Sequence, residues 1–246
     1  MPSLGEAVAR VLEIQDRSGK HLAVVLAGHN GSGKSTMWYG HLASQIQIPL
    51  VNADRIMMSI LPPVGPEEHL PDWARMLRDE DEKWMRVAQR GVQAFVAQAL
   101  SGGVPFAFET VFSHWQQLPD GTFASKIDQI RAMQRSGYFV MLFFVGLTDP
   151  LLSILRVSTR VAAGGHAVST DKLISRFPRT QQAVRHATGI ADASILIDNS
   201  RGYQAGFHRV QGSGRKRGGL RSTAFADPDA QVDSVVARHR LAAAVI

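Results

Sequence analysis

The sequence contains no cysteine, and this absence excludes disulfide bonds, thiolate metal ligands and cysteine nucleophiles. It also lacks any apolar run near the roughly 18 residues that a membrane span needs. Its first residues, MPSLGEAVARVLEIQDR, carry acids and have neither the basic nor the apolar region of a signal peptide. We therefore expect a cytoplasmic protein that does not contact a membrane.

An excess of acidic residues is lacking as well, because 27 lysines and arginines outnumber 21 acids and give a net charge of +6. Much of this excess is local, since the segment GSGRKRGGLR alone carries Arg215, Lys216, Arg217 and Arg221. A glycine-rich basic segment is typical of a solvated loop or tail. Binding of nucleic acid or a partner by residues 215–221 is the alternative, because basic surfaces attract phosphate backbones.

Strand-like and helix-like segments alternate along the chain. The predicted strands have apolar interiors and cover residues 21–27, IPLVNAD, 104–110, 137–147 and 193–200. The predicted helices cover residues 3–17, a stretch from Lys34, DRIMMSIL, and residues 66–101, 123–135, 150–163 and 170–188. Apolar strands that alternate with helices indicate an α/β fold with three αβα layers and a mostly parallel sheet.

The chain divides into a main domain and an appendage. We predict that residues 1–210 form the domain, with an N-terminal helix, the α/β core and a helical lid. Residues 211–246 are predicted to form a basic Gly/Arg-rich loop and a short final helix near residues 231–244.

A phosphate-binding motif, G-x-x-x-x-G-K-[ST], follows the first predicted strand. Its residues are Gly28, His29, Asn30, Gly31, Ser32, Gly33, Lys34 and Ser35, and Thr36 follows. Such a loop directs backbone N–H groups at phosphates, and the helix after it presents its positive dipole end to the same anion. Lys34 is predicted to reach the β- and γ-phosphates of ATP, and the Ser35 hydroxyl to ligate Mg²⁺.

Polar residues stand at the carboxyl ends of three predicted strands, the edge where open parallel sheets bind ligands. Asn52 and Asp54 close the second, and Asp54 is a candidate base for an acceptor hydroxyl, with a helix N-cap as the alternative. Glu109 ends the third and is followed by Thr110 and Ser113. It is a candidate to orient the acceptor or to hold Mg²⁺ through water, with a cap or a salt bridge as the alternative.

The last predicted strand ends in Asp198, Asn199 and Ser200. A turn is the simpler interpretation of these residues. Contact of Asn199 with the base or ribose of the nucleotide is the functional alternative.

Arginines mark a predicted lid between residues 150 and 188. Two helices are joined by Gly164-Gly165-His166, and they carry Arg156, Arg160, Arg176 and Arg179. A closing lid would place positive charge on the transferring phosphate and exclude water. For any single one of these arginines, the alternative is an exposed side chain in a surface ion pair.

Taken in order, the segments GHNGSGKST, VNADRI, FAFETVFSH, GYFVMLFFVGL, RVSTRVAAGGH and DNS resemble the zeta-toxin family of bacterial kinases over about residues 20–210. The resemblance implies a P-loop kinase fold and ATP/Mg²⁺-dependent phosphorylation of a sugar hydroxyl, with UDP-N-acetylglucosamine as the best-known acceptor. It also implies a toxin with a protein antitoxin as its partner. The basic segment from Arg215 onward is not part of the family's pattern.

Residue by residue, the resemblance implies that Lys34 is the phosphate-loop lysine, Ser35 the metal-binding hydroxyl and Asp54 the base. It implies that Glu109 contacts the acceptor. Apart from the resemblance, Asn52, Thr110, Ser113 and His166 are further acceptor-side candidates. The lid arginines fall on Arg156 and Arg160, with Arg176 as an additional candidate.

Two alternative functions stay open at this point. The first is a kinase for another hydroxyl: NAD, a nucleoside, an antibiotic or a polynucleotide 5′-end. The second is a nucleotide-dependent protein that binds nucleic acid or a partner through its basic segment. The sequence shows no water-orienting switch segment, whereas it shows an aspartate and a glutamate on the acceptor side, and this favours a kinase.

Overall fold

The structure, a computed structural model, describes residues 3–63, 70–121, 123–200 and 210–214. Its strands are β1 (His21–Gly28), β2 (Leu50–Val51), β3 (Phe106–Thr110), β4 (Trp115–Gln117), β5 (Phe123–Ser125), β6 (Tyr138–Gly146), β7 (Ala193–Asp198) and β8 (Val210–Gly214). Its helices are α1 (Leu4–Ser18), α2 (Lys34–Met37), α3 (Ala43–Ile46), α4 (Ala53–Ser59), α5 (Asp72–Asp79), α6 (Glu82–Gly102), α7 (Ile127–Arg135), α8 (Pro150–Ala162) and α9 (Thr170–Thr188). A π-helical segment, Trp38–Leu42, joins α2 to α3.

Six strands form the main sheet in the order β2-β3-β1-β6-β7-β8. The first five run parallel, and β8 pairs antiparallel with β7. Strand β1 lies between β3 and β6, so the loop that follows it opens at the middle of the sheet's carboxyl edge. The mostly parallel α/β fold predicted from the sequence is therefore confirmed, and it places the phosphate-binding motif where such sheets bind ligands.

Alternate residues of β1 enter two different cores. Ala23, Val25 and Ala27 pack with helices α6, α7 and α9 on one face of the sheet. Val24 and Leu26 pack with α1, α2 and the π-helical segment on the other. Because both faces of the sheet are covered, the interiors of these strands are apolar, and the fold has the three αβα layers that the sequence predicts.

The N-terminal helix closes the second core. Ser3 and Glu6 form a capping box, in which the Ser3 side chain accepts from Glu6 N and the Glu6 carboxylate accepts from Ser3 N. Val8 and Val11 of this helix are buried. The helix predicted over residues 3–17, with Ser3 as its cap, is confirmed.

Three boundaries differ from the sequence predictions. The predicted helix 123–135 is wrong at its start, because residues 123–125 form β5, which pairs with β4 in a two-stranded hairpin. The stretch 66–101 is not one helix: α5 and α6 are separated by a turn where Asp81 caps α6. The predicted boundary at residue 211 falls inside β8, and residues 215–246 with their basic segment and final helix lie outside the described residues.

Within the described part of the chain, every helix is too short or too polar to cross a bilayer.

Candidate functional site

The phosphate-binding motif forms the turn between β1 and α2. Gly28 ends the strand against β6, where an added Cβ would lie 2.3 Å from the Val145 carbonyl oxygen. Gly33 has a φ of 87°, in the left-handed region that glycine adopts without strain. These two positions require glycine, and they hold the loop tightly against its neighbours.

The Lys34 side chain crosses the loop in a buried position. Its Nζ donates to the carbonyl oxygens of Gly28 at 3.2 Å and His29 at 2.9 Å, and it lies 3.7 Å from Glu109 Oε1. Burial lowers the pKa of Lys34, whereas the carboxylates of Glu109 and Asp54 oppose this shift. A buried ammonium group at the start of a helix is suited to neutralise phosphate charge.

Glu109, at the end of β3, joins three predicted site residues. Its Oε2 accepts from the Ser35 hydroxyl at 2.9 Å and from Asn52 Nδ2 at 2.6 Å, while Oε1 faces Lys34. The carboxylate therefore faces the phosphate-binding loop. The sequence suggests two roles for Glu109, which are to orient the acceptor or to hold Mg²⁺ through water. Its position beside Ser35 favours the role at Mg²⁺.

Asn52, and not Asp54, caps helix α4. Asn52 Oδ1 accepts from the backbone N–H of Asp54 at 2.8 Å and of Arg55 at 3.3 Å. The alternative that Asp54 is the N-cap is therefore wrong. Asp54 lies in the first turn with an exposed side chain, close enough to Lys34 for its charge to oppose the lowering of the lysine pKa. Its carboxylate is left available for an acceptor.

His29 is buried within the loop and contacts the lid. Its Nδ1 accepts from Leu147 N at 3.1 Å, and its ring stacks on Phe177 of α9 with centroids 4.0 Å apart and planes 12° from parallel. Burial, followed by the charge of Lys34, lowers the pKa of His29 to about 3. The ring is therefore neutral at physiological pH, and it adds no charge to the phosphate-binding loop.

The segment after Glu109 turns sharply. Phe112 has a φ of 61°, unusual for a bulky residue, and its N–H donates to Thr110 Oγ1 at 3.1 Å. Thr110 Oγ1 also accepts from Lys126 Nζ at 2.5 Å. Ser113 lies beyond the turn and is partly buried. The two hydrogen bonds hold the Thr110 hydroxyl in place, one from the turn itself and one from Lys126 at the start of α7.

The first lid helix packs on the phosphate-binding loop. Ser153 Oγ donates to the Asn30 carbonyl at 2.7 Å, and the Cβ of Arg156 would lie 3.1 Å from a Cβ added at Gly31. Arg156 Nη2 donates to the Asn199 carbonyl at 2.8 Å, and Asn199 Nδ2 donates to the Ser32 carbonyl at 2.8 Å. The structure thus brings Arg156 and Asn199 to the phosphate-binding loop, while Thr36 is exposed on α2.

The lid loop is held by helix α5. Arg160 Nη2 donates to the His166 carbonyl at 2.8 Å, and Arg78 Nη1 donates to the Gly164 carbonyl at 2.6 Å. His166 Nδ1 lies 3.2 Å from Asp79 Oδ1. The side chain of His166, a predicted acceptor contact, is therefore engaged with Asp79. The charge of Arg160 adds to the effect of burial in lowering the pKa of Lys34.

Arg176 lies on the second lid helix, α9, one turn before Arg179. It is partly buried on α9, on the helix face that also carries Leu173, Phe177 and Thr180. Burial, followed by the charge of Arg179, lowers the pKa of Arg176. Thr180 Oγ1, one turn further along, donates to the Val111 carbonyl at 3.3 Å. This face of α9 thus covers the segment after Glu109.

Two features of the site carry no signal in the sequence. Lys126 belongs to no motif, and its contact with Thr110 joins residues 16 positions apart. In the sequence, Arg78 and Asp79 are an ordinary pair of neighbouring charges. Their partners in the lid loop, Gly164 and His166, lie 86 and 87 positions further along the chain and reach them only through the tertiary structure. The sequence feature nearest to Lys126 is the start of helix α7 at Ile127, which does not indicate a contact with Thr110.

A magnesium ion fits the residues beside Lys34. Mg²⁺ in such sites takes few protein ligands and keeps waters and phosphate oxygens. The Ser35 hydroxyl and the Glu109 carboxylate, 2.9 Å apart, supply one direct ligand and one acceptor for bound water. The described residues contain no group of three or more acidic or histidine side chains that would hold a metal without the nucleotide.

Comparison with known proteins adds an independent result. A search of curated proteins finds no significant match. Among solved structures, the PezAT chromosomal toxin-antitoxin system of Streptococcus pneumoniae contains a similar chain: 15% identity, TM-score 0.51, covering 83% of this chain and 79% of that one. The structure of AvrRxo1-ORF1:-ORF2 with ATP is similar over 79% of this chain and 59% of that one, at 14% identity and a TM-score of 0.51.

The family comparison covers nearly all of the α/β core. The model of the family described as Zeta toxin matches residues 6–205, which include the phosphate-binding loop, both strand-end carboxylates and the whole lid. The chain therefore belongs to the zeta toxin family, and it is a phosphotransferase with a P-loop kinase fold.

Proposed function

We propose that this chain transfers the γ-phosphate of ATP, with Mg²⁺, to a sugar hydroxyl of a nucleotide-sugar resembling UDP-N-acetylglucosamine. The observation that carries the proposal is the pairing of a donor side with an acceptor side at the middle of the sheet. Lys34, Ser35 and Glu109 form a connected group for the phosphates and the metal. Asp54 stands beside them, exposed and free of the capping role that Asn52 fills.

In the proposed reaction, Asp54 accepts the proton of the acceptor hydroxyl as its oxygen attacks the γ-phosphorus of ATP. The bond between the γ-phosphorus and the bridging oxygen breaks, and ADP leaves. Lys34 and Arg160 offset the negative charge on the transferring group, and Arg156 fixes the loop through Asn199. Bound Mg²⁺, held by Ser35 and through water by Glu109, would neutralise charge on the β- and γ-phosphates.

We further propose that the protein is the toxin of a toxin–antitoxin pair, with a protein antitoxin as its partner and a cytoplasmic location. The support is membership of the zeta toxin family and the similarity in fold to a chain of the PezAT toxin-antitoxin system. Depletion of a nucleotide-sugar would account for toxicity. Expression of the wild-type chain should therefore arrest growth, and expression of Lys34→Ala should not.

The acceptor is tested by incubating the protein with ATP, Mg²⁺ and pools of small metabolites, followed by mass spectrometry for the gain of one phosphate. We expect UDP-N-acetylglucosamine to gain it. Asp54→Asn should lower the turnover number by about 10²–10⁴-fold while leaving ATP binding intact, as for loss of a general base. Full transfer activity in Asp54→Asn would exclude Asp54 as the base.

A matched control separates this effect from loss of a surface charge. Glu13 is an exposed acid on α1, paired with Arg17 at 3.9 Å, on the opposite side of the sheet from the lid helix α9. Glu13→Gln should keep wild-type turnover. Phosphorylation of NAD or a nucleoside, with no gain on the nucleotide-sugar, would replace the proposed acceptor but keep the proposed chemistry.

A further inference from the structure

Asn52 stands between the two carboxylates of the site. Val51 of β2 pairs with Phe108 of β3. The residues that follow them, Asn52 and Glu109, are therefore neighbours at the carboxyl edge of the sheet. Asp54 lies two residues further along the chain, in the first turn of α4. A single side chain at position 52 is thus within reach of both the carboxylate beside Ser35 and the proposed base.

Both ends of the Asn52 amide are engaged within the protein. Its Oδ1 accepts from the backbone N–H of Asp54 at 2.8 Å and from that of Arg55 at 3.3 Å. Its Nδ2 donates to Glu109 Oε2 at 2.6 Å. The residue is only 8% exposed. These contacts leave little of the side chain for an acceptor molecule to meet.

The surroundings of Asn52 fix the orientation of its amide. Turning the amide over would place its N–H groups against two backbone N–H groups and its oxygen against the Glu109 carboxylate, so both ends would be repelled. Aspartate or serine would cap α4 as asparagine does. Capping the helix and donating to Glu109 from one short side chain, however, requires the amide.

The contact with Glu109 acts on the residues suited to Mg²⁺. Glu109 Oε2 accepts from Asn52 and also from the Ser35 hydroxyl, at 2.9 Å. Because the hydroxyl hydrogen is directed at Glu109, the lone pairs of the Ser35 oxygen are left for a metal ion. Asn52 holds Oε2 at the position from which it orients that hydroxyl.

The contact with α4 acts on the proposed base. The backbone N–H of Asp54 is bonded to Asn52 Oδ1, while the Asp54 carboxylate stays exposed. A general base works only within hydrogen-bond reach of the hydroxyl, and that hydroxyl must lie in line with the transferring phosphate. The separation between the base and the metal side is therefore set by the side chain that is bonded to both.

We propose that Asn52 is a positioning residue of the reaction: its amide sets Asp54 on the acceptor side against Glu109 and Ser35 on the metal side, and it does so without contacting the acceptor. This rests on the proposed kinase function and deepens it by assigning a residue that acts through the two carboxylates. Loss of the amide nitrogen weakens the hold on Mg²⁺ through Glu109, and loss of the amide oxygen displaces Asp54.

Binding of the non-hydrolysable analogue AMP-PNP tests the metal side without turnover. Calorimetry gives the affinity of the full-length protein in Mg²⁺ and in EDTA, and the ratio of the two affinities is the gain due to the metal. Asn52→Ser keeps an oxygen for the cap but loses the donor to Glu109, so its gain should be about tenfold smaller than that of the wild type. Asn52→Asp, which places a second carboxylate beside Glu109, should lose at least as much. Unchanged affinity in EDTA shows that a variant is folded, and Asn52→Thr replaces Asn52→Ser if that affinity is lost.

A double-mutant cycle shows whether Asn52 acts through Glu109. Glu109→Ala should reduce the gain by itself, and Asn52→Ser added to it should reduce the gain no further. The matched control is Asp81→Ser, which exchanges the cap of α6, a side chain that accepts from the backbone of its own helix, for another capping residue. It should keep the wild-type gain. An undiminished gain in Asn52→Ser or in Glu109→Ala, or a full further loss in the double variant, would overturn the proposal.

Steady-state kinetics separate positioning from contact with the acceptor. In Asn52→Ser, the turnover number with UDP-N-acetylglucosamine should fall about tenfold while the KM for this compound stays unchanged. Asn52→Ala, which also lacks the cap that holds Asp54, should fall about tenfold further, and equal turnover numbers in the two variants would overturn the role at the base. A higher KM with an unchanged turnover number would mean that Asn52 binds the acceptor, contrary to the proposal. If the wild type does not phosphorylate this compound but the gain due to Mg²⁺ still depends on Asn52 through Glu109, the proposed acceptor is wrong and the positioning role stands.

Discussion

His29 couples the phosphate-binding loop to the lid through a single ring. Its Nδ1 accepts from the backbone of Leu147, so the proton of the neutral ring is on Nε2. One face of the ring stacks on Phe177 of the lid helix. Because the residue is only 3% exposed, protonation would place an unpaired charge in the core beside Lys34. The loop's geometry therefore depends on His29 staying neutral.

The buried histidine makes folding stability depend on pH. Its pKa is lowered from 6.5 to about 3 in the folded protein, so the unfolded chain takes up the proton first as pH falls. Stability is therefore unaffected above pH 6.5 and decreases below it, by about 2 kcal/mol between pH 7 and pH 5. Urea unfolding at these two pH values should show this loss in the wild type.

The comparison variant is His29→Asn, whose amide oxygen can accept from Leu147 N but does not titrate. The variant should be less stable at pH 7, since it lacks the stacked ring. Its further loss between pH 7 and pH 5 should be smaller than that of the wild type by about 2 kcal/mol. Equal losses in the two proteins would show that His29 is not the group responsible.

The site residues that belong to a motif or stand at a strand end could be predicted from the sequence. The spacing of the loop placed Lys34 and Ser35, and the ends of apolar strands placed Asp54 and Glu109, and the structure brings all four together. His29 occupies a position that the motif leaves unspecified, so its role as a stacked ring followed only from tertiary packing. The same holds for Lys126, whose partner is 16 residues away.

At the scale of elements, helix α5 acts on the lid loop between α8 and α9. Arg78 donates to the Gly164 carbonyl, and Asp79 faces His166 while it binds Arg78 through both carboxylate oxygens, at 2.9 and 2.7 Å. Hydrogen bonding from Arg78, more than any other contact, lowers the pKa of Asp79. The Asp79 carboxylate thus orients Arg78 and contacts His166, and both contacts hold the lid loop against α5.

Asp79→Asn should loosen the lid loop without unfolding α5. The amide can accept only part of the Arg78 fork and carries no charge for His166, so backbone amides near residues 164–166 should exchange with solvent about tenfold faster. Hydrogen–deuterium exchange with mass spectrometry measures this. Asp72→Asn, at the other end of α5, is the control, because the ion pair of Asp72 in the described part of the chain is with Arg75 on its own helix. Unchanged exchange in Asp79→Asn would mean that the loop is held by other contacts.

The elements that the sequence predicted and those it missed differ in length and in burial. Strands β1 and β6, eight and nine residues long and mostly apolar, are buried on both faces and were predicted within one residue. The β4–β5 hairpin has only three residues a strand, and its Trp115 stacks on Phe123 and on His186 of α9. Such a hairpin is stabilised by tertiary stacking, which leaves no periodic signal in the chain.

At the scale of the whole molecule, one edge of the sheet collects the entire site. Strands β1, β3 and β7 end there, and they deliver the phosphate-binding loop, Glu109 and Asn199. The lid reaches the same edge through His29, Asn30 and Gly31, so the loop, the sheet and the lid helices are packed against one another. A ligand bound at this edge contacts several elements at once, and it should stabilise the fold as a whole.

Nucleotide should therefore raise the melting temperature, and the increase should depend on Lys34. With AMP-PNP and Mg²⁺ at about 100 times the dissociation constant, binding adds about 2.7 kcal/mol, or roughly 5–10 °C for a chain of this size. Differential scanning fluorimetry should show this increase in the wild type and in Lys83→Ala, which removes an exposed lysine of α6. Lys34→Ala removes the buried ammonium group that faces Glu109 and should lose most of the increase, measured from its own ligand-free value. An increase in Lys34→Ala equal to that of the wild type would mean that the nucleotide binds without the loop lysine, contrary to the site described above.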